Sequence, residues 1–212
     1  MARRKKQPQS EHRKKITAAT EQLFMEKGIE NTTMSDIARM SGYSKATLYV
    51  YFKDKEELIG VLVLESMQKL YDYIKSALEC SNDTKQRYLE ICKALVRYQE
   101  EYPLYFKMVL DTINIDFETT RFLPEEKETF LVGEKINELL AVFLKDGVEK
   151  GDVRADLQIH QAIFFFWGAL SGLILLSANK ENYIGQEMKL SREDFLQQGF
   201  GMLYRTIVGE NV

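Results

Sequence analysis

The chain has 212 residues, 45% hydrophobic and 11% aromatic, which excludes a disordered polymer and leaves room for one ordinary domain with a smaller one beside it. Its net charge is −3, yet residues 1–55 hold twelve Lys/Arg against six Asp/Glu (+6) while the remainder holds 17 against 26 (−9). Phosphate binding depends on where positive charge sits, so a nucleic-acid surface, if there is one, belongs to the N-terminal end.

In chain order the pattern is helical throughout, and no convincing alternating strand is found. The basic run Arg3, Arg4, Lys5 and Lys6 leads into no apolar segment, which argues against a secretion signal. A mobile arm along a nucleic-acid backbone and a plain solubilising tail are both open readings of it. The first helix is predicted from near Ser10, with Ile16, Ala19, Leu23 and Phe24 on one face and Gly28 as its stop. Thr33-x-x-Asp36 and Asp54-x-x-Glu57 resemble capping boxes, which place helix starts at Thr33 and Asp54. The helix from Asp54 is long, with an apolar stripe of Ile59, Leu62, Met67, Leu70 and Ile74, and there is no glycine from Val61 to Val132. Tyr88, Ile91, Cys92, Leu95 and Tyr98 mark the next helix, and Pro103 breaks it. Pro124 with Glu125 and Glu126 opens another long helix, and Lys150-Gly151-Asp152 reads as its exit loop. An uncharged apolar run, Ala162 to Leu176, falls short of the ~20 residues that cross a bilayer. It reads as a helix buried in protein, with a membrane anchor over residues 159–178 as the rival. A polar loop and a last helix from Ser191 complete the chain.

Cys80 and Cys92 stand alone with no C-x-x-C, so neither a metal site nor a disulfide framework is expected, and the chain suits a reducing cytoplasm. His12 and His160 lie far apart with no nucleophile elbow or phosphate loop, so there is no catalytic set to propose and no cofactor is expected.

Chemistry concentrates between Thr33 and Leu58, TMSDIARMSGYSKATLYVYFKDKEEL. Thr33 caps a short helix with Ile37 and the small Ala38 inward. Gly42 supplies a tight turn, and Ser44 caps a second helix with Leu48 and Phe52 inward. That is a helix-turn-helix, whose second helix fits a major groove. Lys45, Ala46 and Thr47 are placed for base edges. Tyr49, Tyr51 and Lys55 suit phosphates, and no acid lies between Asp36 and Asp54.

This segment, over Ile16 to about Leu62, resembles the DNA-binding domain of the tetracycline-repressor (TetR) family of bacterial regulators. The strongest part is Ser44-Lys45-Ala46-Thr47-Leu48-Tyr49, followed by Tyr51-Phe52 and Lys55. Ser41, Tyr43 and Ala46 depart from it, where the family more often has Ala, Val and Gly, and the Ala46 methyl suits contact with a thymine. The resemblance implies an all-α protein. Residues 1–55 would form a three-helix DNA-binding domain, and 56–212 a larger helical ligand-binding and dimerisation domain. It implies a homodimer on a roughly palindromic operator, a small-molecule effector, repression relieved by that effector, and no membrane. It implies too that the long fourth helix couples the domains. The expected DNA-binding residues are Thr33, Ser44, Lys45, Ala46, Thr47, Tyr49, Tyr51 and Lys55. For the effector, Met67, Tyr71, Tyr98, Tyr102, Phe106, Phe165 and Trp167 are candidates, although any one aromatic is more often plain core. The last two helices would form the dimer contact, through Phe165, Gly168, Gly172, Leu173, Phe195, Gly199, Met202 and Leu203. A DNA-binding adaptor of the same fold, regulated by a protein partner, is the alternative.

Overall fold

The structure, a computed structural model, describes residues 8–111 and 124–208. Among these residues it is built of α-helices, with no strand and one isolated bridge between Val153 and Val208. The basic cluster Arg3–Lys6 lies outside the described residues. The chain forms two compact units, one of Met1–Ser66 with Lys107–Phe130, the other of Met67–Phe106 with Leu131–Val212. The segment 1–55 singled out in the sequence falls inside the first.

In the first unit, α1 (Gln9–Lys27) ends where Gly28 takes φ 82°, its amide donating to the Phe24 carbonyl. A side chain in that left-handed region would be strained. The second helix, α2 (Met34–Ser41), opens on a full capping box. The Asp36 amide donates to the Thr33 hydroxyl at 3.2 Å, and the Thr33 amide donates back to the Asp36 carboxylate at 3.1 Å. Gly42, at φ 74° and ψ 25°, turns the chain into α3 (Lys45–Tyr51), which Ser44 caps through the Thr47 amide at 3.1 Å. Ile16, Leu23, Ile37, Ala38, Leu48, Phe52 and Leu58 form the core under these helices, none more than 4% exposed. Burying a side chain such as Leu48 or Ile37 stabilises the unit by about 1.5–3 kcal/mol before entropy is counted.

The fourth helix, α4 (Lys55–Glu79), starts as its cap predicted, with the Glu57 amide donating to Asp54 at 2.9 Å. Its buried stripe is Leu58, Leu62, Met67, Leu70 and Ile74. Leu58, fully buried, heads that stripe, and Ile59 beside it is only partly covered.

In the second unit, α5 (Thr84–Glu101) is capped by Asp83, which accepts from the Gln86 amide at 2.7 Å. Then come α6 (Pro103–Asp111) and α7 (Pro124–Glu149), each beginning at the proline that the sequence marked, although both helices contribute residues to both units. The apolar run becomes α8 (Ile159–Asn179), which packs on α5 and on α10 (Arg192–Tyr204) and buries Ala162, Ile163, Leu170, Ser171, Ile174 and Ser177. At 21 residues, α8 is longer than the uncharged run alone. It is the one helix among the described residues long and apolar enough to cross a membrane, with 28% of its most apolar window buried in protein. Between α8 and α10 the expected polar loop is instead a short helix, α9 (Glu181–Glu187). Ile184 is its one buried residue, and a single anchor leaves no readable period.

The second unit is tied by polar contacts as well. The Tyr88 hydroxyl donates to the Phe200 carbonyl at 3.0 Å, fastening α5 to α10, and its ring lies 5.0 Å from that of Tyr204. Arg192, at the start of α10, donates to Ser177 on α8 and to Gln99 and Glu100 on α5.

Candidate nucleic-acid interface

The three helices of the first unit sort the side chains of α3 by face. Leu48 and Phe52 are buried, Thr47 and Tyr51 are partly covered, and Lys45, Ala46, Tyr49 and Val50 are exposed. Of the expected DNA-binding residues on α3 and its cap, Ser44, Lys45, Ala46 and Tyr49 are thus exposed, and Thr47 and Tyr51 only in part. Thr33 lies apart from them, at the start of α2. The Ser44 and Thr47 hydroxyls are 2.8 Å apart, so the cap engages both. The Lys55 ammonium donates to the Ile29 carbonyl at 3.1 Å, which ties α4 to the loop after α1 and leaves two of its protons for another acceptor.

Tyr51 is held from behind. Its carbonyl accepts from Arg13, whose guanidinium also pairs with Glu57 at 3.1 Å and lies 4.1 Å above the Phe52 ring. Glu57 in turn accepts from the Lys53 amide at 2.7 Å. One arginine thus locks α1, the end of α3 and the start of α4 in a fixed register. His12 Nδ1 lies 2.6 Å from the Tyr43 hydroxyl, and its ring is 5.3 Å from Tyr51. The Lys15 ammonium is 5.1 Å over the Tyr43 ring. At Ser41, the hydroxyl donates to the Ile37 carbonyl at 2.7 Å, so a polar residue in a buried position is satisfied.

Asp36 is surrounded by hydrogen-bond donors. The Thr33 hydroxyl, 2.7 Å away, and then the Lys27 ammonium and the Thr33 amide hold its carboxyl well below the usual carboxylate range.

Sequence reasoning passed over Val50, 74% exposed on the outer face of α3, and the lock made by Arg13. The first was within reach, because once Leu48 and Phe52 point inward, position 50 points out. The second was not, because Arg13 and Glu57 are 44 residues apart.

The candidate effector and dimer residues lie in the second unit. Tyr98 and Phe106 are fully buried with ring centroids 6.0 Å apart, and Tyr102 packs 6.0 Å from Tyr98 and stacks on Tyr105. The Lys69 ammonium sits 4.3 Å over the Tyr102 ring, and the Tyr73 hydroxyl donates to Glu101 at 2.6 Å. Met67 is buried, and Tyr71 and Trp167 are half-buried. Phe165 is 59% exposed and lines an open groove of about 300 Å³ with Leu157, Gln161, Ala162, Phe166 and Ile207. Gly168 and Gly172 have open space where a side chain would project, whereas Gly199 lies tight against Leu173 of the same chain. Met202 is 63% exposed, and Phe195 and Leu203 are half-buried.

Residues 16–62 match the family model for bacterial regulatory proteins of the tetR family. Over 83 residues the chain is 34% identical to the HTH-type transcriptional regulator TtgR of Pseudomonas putida, a match covering 39% of each protein. The matched stretch thus spans about two fifths of that relative's own length. A longer match, 24% identical over 172 residues, covers 78% of this chain and 82% of the fatty acid metabolism regulator protein of Bacillus subtilis. Among solved structures, the TetR family transcriptional regulator PfmR from Thermus thermophilus superposes with a TM-score of 0.66 at 26% identity, covering 90% of this chain and 97% of that one.

Proposed function

We propose that this chain, whose residues 16–62 match the tetR-family model, is a cytoplasmic, homodimeric transcriptional regulator of that family, a repressor that leaves its operator when a small molecule binds the second unit. The observation that carries this reading is the outer surface of α3, capped at Ser44, presenting Lys45 and Tyr49 from a stretch without acids between Asp36 and Asp54. Double-stranded DNA attracts such a surface through its phosphates, and a short capped helix of this kind fits the major groove. Lys45, Ala46 and Thr47 would face base edges. Tyr49, Tyr51 and Lys55 would position the unit on the backbone.

Two copies related by a twofold axis would place two α3 helices about one turn of DNA apart, ~34 Å, on a roughly palindromic site. The outward face of α8 and α10, with Phe164 and Phe165 71% and 59% exposed beside Gly168 and Met202, supports association there. The buried tyrosines near Phe106, with one cation over Tyr102, favour a largely apolar effector. Release then requires that the effector bind more tightly to the form whose α3 spacing mismatches the operator. The experiment is selection of duplexes from a random pool by the purified protein, followed by the Lys45→Ala, Thr47→Ala double variant. Expected is one enriched palindrome and loss of selective binding in the variant. Undiminished selective binding by the variant would defeat the assignment of α3.

A further inference from the structure

We propose that Val50, together with Ala46, reads the 5-methyl groups of thymines in the operator, so that this protein's specificity rests on apolar contact as much as on hydrogen bonding. The inference deepens the reading of α3 as the helix that enters the groove, and rests on it. Three facts about α3 lead there. Lys45 and Tyr49 form one outward row at a spacing of four residues, and Ala46 and Val50 form a second row beside it. Val50 is 74% exposed, more than any other large hydrophobic residue described as exposed in the structure, so folding of the protomer does not account for it. The polar inventory of the helix is already partly spent: the Thr47 hydroxyl is engaged with Ser44, and Tyr51 is half-covered beside His12.

The exposed side chains of α3 are one ammonium, one phenol and two apolar groups. An apolar side chain distinguishes bases in the major groove in one way, by packing on the methyl that thymine alone carries. Residues four apart stand ~6 Å apart along a helix axis, close to two base-pair steps of ~3.4 Å. The apolar row thus matches two thymines two steps apart in each half-site. The acid-free stretch around it, with Lys45 and Lys53 flanking, draws this face onto a polyanion and not onto an apolar protein partner.

The test uses the duplex selected by the full-length protein, with uracil in place of each thymine in turn, which removes the methyl and nothing else. Expected are two sensitive thymines per half-site, each methyl removed costing about fourfold in affinity, so about 16-fold when the same position is changed in both half-sites. Val50→Ala should become indifferent to uracil at one of the two and keep its response at the other. Ala46→Gly should show the converse, with circular dichroism confirming that each variant keeps its helix content. Full tolerance of uracil at every position, by a protein that still selects its duplex, overturns the inference and leaves the DNA-binding reading intact. Unchanged uracil sensitivity in Val50→Ala also overturns it. Failure to enrich any duplex overturns both.

Discussion

At Asp36 one carboxylate accepts from the Thr33 hydroxyl and amide and from the Lys27 ammonium, joining the end of α1 to the start of α2. Its folded-state pKa is depressed, so the stability it contributes is present in full above the ordinary carboxylate range and is lost as pH falls through and below that range. Acid titration followed by circular dichroism should therefore show the wild type losing stability below about pH 4. Asp36→Asn should be less stable at neutral pH and flatter on the acid side. Equal slopes for the two proteins would show that Asp36 is not the group responsible. The residue scale also shows how capping and recognition compete. Ser44 and Thr47 are both expected DNA-binding residues, yet their hydroxyls are engaged with one another. Exposed Val50, with no such task, is the more informative neighbour.

Among the elements, α10 lies close against α8 at Gly199. A methyl added at Gly199 would stand 2.5 Å from a Leu173 methyl, well inside contact distance. Leu173 is half-buried and can yield only in part, so Gly199→Ala should destabilise the second unit by about 1–2 kcal/mol, read as a lowered urea midpoint. An unchanged midpoint would mean that Leu173 swings aside freely. The same two helices hold Gly168 and Gly172, which meet nothing within 4 Å on their own chain. Glycines grouped by the sequence pattern as one interface set thus divide into one that serves internal packing and two that leave an open face.

For the assembled molecule that division becomes a test of the proposed dimer. Gly168→Arg should leave protomer stability unharmed, because the space is open and arginine is the better helix former by up to about 1 kcal/mol. If two protomers meet across α8 and α10, the charge should turn dimers into monomers in sedimentation velocity and weaken binding to a two-half-site operator far more than to one half-site. A persistent dimer would place the interface elsewhere. The exposed phenylalanines of α8 bear on the same question, since an apolar face of that kind marks association with something.

From the sequence alone came the all-helical class, the capped starts at Thr33, Ser44, Asp54 and Ser191, and the inward set Ile37, Ala38, Leu48 and Phe52. All of these are local, set by helix period, caps and turn glycines acting over a few residues. Tertiary structure alone decided the rest. It paired Arg13 with Glu57, brought Tyr43 to His12, fitted Gly199 against Leu173, and let one anchor, Ile184, hold a helix where the chain reads as a loop. Each of those depends on residues distant in the chain or on a single buried side chain, and a periodic pattern carries no information about which distant partner fills a given space.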